Sequence, residues 1–185
     1  MHDDDLDTQR AKQRAYELLG GLVLDGLDAT RLAEVRALPG IGEVVPPVVD
    51  LEALAAEHQA LFGHEVFPYA GVFLGASGLV GEGTPAVVLR AAHSALGVPC
   101  PSDPSPDHLG HALRLLAMLV DAELEARAHH DDADARTLVQ QQRRVLDQAL
   151  LPWMPPLWAA LAGQPASVLT RAMELCVGVL ARHRG

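Results

Sequence analysis

The sequence predicts an all-α protein, a compact bundle of roughly eight to ten helices. Three observations lead there. Aromatic residues are 4% of the 185 residues while apolar residues are 49%. The core must then be mostly Leu, Val and Ala, a composition that suits packed helices, since strands favour β-branched and aromatic side chains. Apolar residues recur at helical spacing in one segment after another, and no segment alternates as a half-buried strand does. A chain of this length buries a core without disulfides or metals and is read as a single domain, residues 1–185.

Taken in order, the first helix is expected from about Asp7 to Val23, with Tyr16, Leu19 and Val23 on one face. Asp28 can cap a short second helix striped by Leu32, Val35 and Leu38 and ended by Pro39-Gly40. A Gly/Pro loop runs through Pro46-Pro47. The third helix starts after Asp50, buries Leu51, Leu54, Ala55, His58, Leu61 and Phe62, and ends at Gly63. Residues Val66 to Gly83 hold five glycines and read as irregular or briefly helical. Thr84-Pro85 is a hydroxyl cap followed by Pro in the first turn, and Gly97 suits a left-handed helix end. Val98 to Pro104 contains three prolines and cannot be helical, so the 99–106 stretch is where two helical halves would hinge.

Ser105-Pro106 repeats the cap-then-Pro signal and opens a long helix to about Ala128, with Leu109, Leu113, Leu116 and Val120 on one face. His129 to Asp134 is a charged turn. The next helix runs from about Ala135 to Leu150, Pro152 breaks it, and Trp153 to Leu161 forms a short one. After Gly163 and Pro165 a final helix carries Val168, Leu169, Ala172, Met173, Cys176, Val179 and Leu180.

Charge narrows the function classes. The formal net charge is −10, from 14 basic and 24 acidic residues. Phosphate backbones need clustered Lys and Arg, so a nucleic-acid partner is disfavoured. Cys100 and Cys176 are far apart and form no metal-ligand pair, consistent with reduced thiols. The start, Met1-His2-Asp3-Asp4-Asp5, is acidic where a secretory signal is basic, and no apolar run is long enough to cross a membrane. The expectation is a soluble, cytoplasmic protein.

Catalytic signatures are sparse. Gly75, Gly78 and Gly81 lack the preceding strand and the Gly-Lys-Ser/Thr ending of a phosphate loop. His129 and His130 beside Asp131, Asp132 and Asp134 are the one candidate for a metal-binding helical enzyme. Zinc wants about four fixed ligands, and a solvated turn with Asp131 or Asp132 capping the next helix explains the cluster as well. No catalytic residue and no cofactor is assigned.

Two features stand out. In Pro106-Asp107-His108 a carboxylate and an imidazole fall at a helix start. The helix dipole there favours a charged Asp107 and a neutral His108, an acceptor site for Arg or backbone donors. In Leu151 to Trp158 the chain places Trp153 and Trp158 between prolines, a pattern that suits packing between helices.

Five segments, in order, resemble the TorD/DmsD/NarJ family of redox-enzyme maturation chaperones. Glu57-His58-Gln59-Ala60-Leu61-Phe62 is similar to that family's Glu-Tyr-x-x-Leu-Phe, and Pro68-Tyr69-Ala70-Gly71-Val72-Phe73 to its Pro-Tyr-Glu-Ser segment. Ala95-Leu96-Gly97-Val98 resembles its Ala-Gly-Leu turn, and Pro106-Asp107-His108-Leu109 its Pro-Asp-His stretch. Ala149 to Pro155 resembles its His-Leu-x-x-Trp-Leu-Pro. The resemblance implies an all-α, non-enzymatic cytoplasmic chaperone. It would bind the twin-arginine leader, and the body, of a molybdopterin-containing oxidoreductase subunit and hold it for cofactor insertion before export or assembly. Asp107, His108 and Leu109, with Tyr69 and Phe73, would form the leader-binding region. Glu57, Leu61, Phe62, Pro106 and Trp153 would be structural motif residues. Ala70 and Gly71 replace Glu-Ser, His58 replaces Tyr, and Ala112 stands where a Glu often follows, so two acidic groups that could meet leader arginines are missing. The alternative within the family is a NarJ-like assembly factor for a membrane-bound reductase that is not exported. A monomer is the simpler expectation, although the Pro-rich linker permits exchange of halves between chains.

Overall fold

The structure, a computed structural model, describes residues 3–37, 45–75, 78–165 and 167–183, without the side chains of residues 3–5, 175–177, 179 and 181–183. The expected end of the second helix at Leu38-Pro39-Gly40 and the side chains of Cys176 and Val179 lie outside the described residues.

The helices are α1 (Asp3–Asp25), α2 (Ala29–Ala37), α3 (Leu51–Ala60), α4 (Ala70–Leu74), α5 (Gly83–Leu96), α6 (Leu109–Ala128), α7 (Asp132–Val145), α8 (Met154–Ala162) and α9 (Val168–His183). No strand is present among the described residues, and the predicted all-α class is the observed one. The central element is α6, packed along α1 on one side and α7 on the other. Its Leu109, Leu113, Leu115, Leu116, Leu119 and Val120 are fully buried. The opposing face of α1 supplies Tyr16, Leu19, Leu22 and Val23. Gly20 and Gly110 let these two helices approach closely. A Cβ at Gly110 would lie 2.8 Å from the Gly20 carbonyl oxygen and 2.4 Å from Leu24 Cγ.

Local chemistry sets most boundaries. Asp50 caps α3 by accepting from the N–H groups of Glu52 and Ala53, and Asp131 caps α7 by accepting from Asp134. Gly97 ends α5 at φ 69°, the left-handed conformation a side chain resists. Gly63 does not stop its helix, because α3 runs on through a π-helical turn, Leu61–Glu65, that seats Leu61 and Phe62 in the core. A second such turn, Leu146–Leu150, and a tight turn, Leu151–Trp153, connect α7 to α8 around Pro152. The expected Thr84 cap is also displaced. Helix α5 begins at Gly83, and Glu82 occupies the cap position without a side-chain hydrogen bond.

The largest correction concerns the start of α6. Ser105 does not cap it, and Asp107 and His108 are not in its first turn. His108 is itself the cap, with extended backbone (φ −66°, ψ 134°), and its Nδ1 accepts from the Gly110 N–H at 3.2 Å. Pro106 and Asp107 form a turn closed by the His108 N–H on the Ser105 carbonyl (3.0 Å), and the 68–70 segment holds its far end. Leu109 N–H donates to the Pro68 carbonyl (2.8 Å) and Ala70 N–H to the Asp107 carbonyl (3.1 Å), a two-residue antiparallel bridge between Tyr69 and His108.

Candidate functional site

The site forms where that bridge joins two segments that the sequence singles out, 68–73 and 106–109. Asp107 lies at its centre and is fully buried. Its Oδ2 accepts from the Gly71 N–H (3.0 Å) and its Oδ1 from the Gly81 N–H (2.9 Å). The carboxylate therefore fastens both ends of the 71–81 loop to the α6 entry. A charged acceptor on two backbone N–H groups, one buried and one partly buried, is a strong arrangement. Of the two kinds of donor expected there, Arg and backbone N–H, Asp107 meets backbone N–H groups, and it presents no exposed carboxylate to an incoming arginine. Arg90 reinforces the loop by donating to the Gly81 carbonyl at 2.7 Å.

Glycine at 71 has a steric cause. A Cβ there would lie 2.2 Å from the Leu79 carbonyl oxygen, a backbone atom that has no freedom to swing aside. The Ser of the similar Pro-Tyr-Glu-Ser segment would not fit this loop path. Gly78, Gly81 and Gly83 hold positive φ values of 65°, 80° and 80°, which turn the loop back toward α5.

Around Asp107 the aromatic residues are stacked in sequence-distant pairs. The half-buried Tyr69 ring meets His108 edge-on, with centroids 4.7 Å apart. Burial raises the Tyr69 pKa, and the nearby Asp107 and Asp103 add to the rise. Phe73 stacks on Trp153 at 5.6 Å with 20° between planes. Trp153 is fully buried and its Nε1–H donates to the Ala149 carbonyl at 2.7 Å. His108 is buried, and that burial, with His111 and His58 nearby, depresses its pKa to about 4. It is neutral near pH 7, which its role as an Nδ1 acceptor requires.

A cleft of about 550 Å³ opens beside this cluster. Ala70, Gly71, Leu74 and Gly75 form one wall, Leu79 and the 82–85 turn the next, and Gln148 and Pro152 the third. Phe67, Val72, Leu74, Leu79, Val80 and Val87, all from the same stretch of chain, leave apolar surface exposed. Leu74 and Leu79 of these line the cleft, and exposed apolar residues in a concave site mark a binding surface more often than scattered single residues do.

The other sequence-selected residues lie elsewhere. Leu61, Phe62, Pro106 and Leu109 are buried, and Leu109 belongs to the core beneath the site. Glu57 is half-buried on α3, and its Oε1 has no hydrogen-bond partner among the described residues. His58 donates from Nε2 to the Val23 carbonyl at 3.1 Å and so ties α3 to α1. Ala112 is buried against the core. His129 ends α6 and bonds the Glu125 carbonyl, His130 turns the chain at φ 60°, and Asp131 caps α7. Among the described residues no group of three or more His, Cys, Asp or Glu side chains is placed to hold a metal ion. Sequence reasoning missed Leu74, Glu82 and Gln148. The only signal for Leu74 and Glu82 was the glycine density of the 66–83 segment, which is compatible with any path, and Gln148 on the 146–150 turn left none.

A family model described as nitrate reductase delta subunit matches residues 30–159. The chain belongs to that family. All five motif segments, from Glu57 to Pro155, fall within the match. Its members are NarJ/TorD-type redox-enzyme maturation chaperones, which makes this chain an assembly chaperone for molybdoenzymes. Comparison with curated proteins and with solved structures finds no match. No helix among the described residues is long and apolar enough to cross a membrane.

Proposed function

We propose that this chaperone works in the cytoplasm and binds the twin-arginine leader of a molybdopterin-containing oxidoreductase subunit, holding it for cofactor insertion before export or assembly. The observation that carries this reading is the apolar cleft beside the Asp107 clamp. It is lined by Ala70 and Gly71 of the family-like 68–73 segment and by the exposed Leu74 and Leu79. A leader brings an arginine pair and then an apolar stretch. Burying one Leu side chain is worth about 1.5–3 kcal/mol, whereas an exposed ion pair contributes about 0–1 kcal/mol. Most affinity then comes from the apolar stretch lying in the cleft. Tyr69, Phe73, Asp107, His108 and Leu109 do not line the cleft and act from behind it, Asp107 by fixing the lining residue Gly71.

Calorimetric titration with twin-arginine leader peptides, each paired with a Lys-Lys version, tests this. Micromolar or tighter binding, weakened at least tenfold by Leu79→Asp, is expected. Retained affinity in Leu79→Asp would move the client to another face.

Membership of the nitrate reductase delta subunit family favours a second reading, in which the chain is an assembly factor for a membrane-bound reductase that is not exported. Equal binding of the Arg-Arg and Lys-Lys peptides, with tighter binding of a client segment that lacks paired arginines, would select it.

A further inference from the structure

We infer that Glu82 is the residue that selects for a basic group beside the client's apolar stretch. This rests on the reading of the cleft as the client's binding site and names the specificity element within it. Of the eleven residues that line the cleft, Glu82 is the one that carries charge. Its side chain is exposed, and although it stands at the cap position of α5 it makes no capping hydrogen bond. The other acidic candidate, Asp107, is buried with both oxygens on backbone N–H groups. Arg90, on α5, donates to the Gly81 carbonyl and does not line the cleft.

The position also makes chemical sense. Glu82 follows Gly81, whose N–H is fixed by Asp107 and whose carbonyl is fixed by Arg90, so the backbone under Glu82 is held at two points. A carboxylate on an anchored backbone at the rim of an apolar cleft accepts a guanidinium in two parallel N–H···O bonds at low ordering cost. The occupant that fits is an apolar peptide segment flanked by arginine. An acidic flank would meet an unbalanced carboxylate on a chain of net charge −10.

The test is a double-mutant cycle by calorimetry on the full chain at low salt. The probes are a synthetic peptide with an arginine pair followed by an apolar stretch of about twelve Leu and Ala residues, long enough to cross the cleft, and the same peptide with both arginines replaced by Gln. The proteins are wild type and Glu82→Gln, with circular dichroism as a folding check. Wild type is expected to prefer the arginine peptide by about five- to tenfold, Glu82→Gln by less than about twofold, and the difference to shrink in high salt. Equal preference in both proteins would overturn the assignment of Glu82 while leaving the cleft as the binding site. No binding of either peptide to either protein would overturn the cleft reading and this inference with it.

Discussion

The two oxygens of the Asp107 carboxylate point at the N–H groups of Gly71 and Gly81, 36 and 26 positions away in the chain. Replacing it with Ala strands two N–H groups, each costing about 1–3 kcal/mol where it stays buried. Asn is a poor rescue, because it supplies one acceptor and turns an N–H₂ toward a donor. Both variants are expected to keep their helix content, lose stability in urea titration (about 2–6 kcal/mol for Ala and about 1–3 kcal/mol for Asn), and bind leader peptide much more weakly because the 71–81 loop is released. Unchanged peptide affinity in Asp107→Ala would separate the clamp from the binding wall. The sequence marked Asp107 as an acceptor, which it is. It could not name the donors, because backbone N–H groups leave no trace in side-chain identity. Glu82 was invisible for the converse reason. A lone glutamate in a glycine-rich loop has no distinguishing context until the cleft exists.

Helix identities were largely legible in the periodicity of Leu and Ala and in the Pro/Gly punctuation. Asp50, Asp131 and Gly97 perform the end-capping roles their chemistry suggests. The start of α6 was not legible, since the bridge between Tyr69 and His108 overrides the local Ser105-Pro106 signal. The α1–α6 crossing was hidden too. Gly20 and Gly110 look like helix-weakening residues in isolation, each costing about 1 kcal/mol relative to Ala on propensity alone. In the structure they are the point of closest approach. Gly110→Ala is therefore expected to destabilise despite the better propensity, by about 1–3 kcal/mol, since the new methyl meets Leu24 and the Gly20 backbone. Thermal melting against wild type checks it. A raised melting temperature would mean that the helices can part without loss.

For the molecule as a whole, the buried imidazoles around the α6 entry set how stability depends on pH. His108 sits between Tyr69, His111 and the Asp107 clamp, and its pKa is depressed to about 4 by burial first and by His111 and His58 next. His93 and His111 are depressed as well, chiefly by burial. In the unfolded chain these side chains titrate near their ordinary value of about 6.5. Between that value and the folded one, the unfolded state binds more protons, so stability falls as pH drops. The contribution is fully present above about pH 6.5 and, for His108, is lost by about pH 4, a span of about 3 kcal/mol. Protonation also removes the lone pair with which Nδ1 caps α6. His108→Asn keeps a good cap without the titration. Urea unfolding between pH 7 and pH 4 is expected to show a steep loss in wild type and a shallower one in His108→Asn, the remainder belonging to His93, His111 and the carboxylates. Parallel pH profiles would mean that His108 opens to water before it protonates. The α6 entry would then loosen in acid ahead of the rest of the fold, and peptide binding would fail at a higher pH than global stability does.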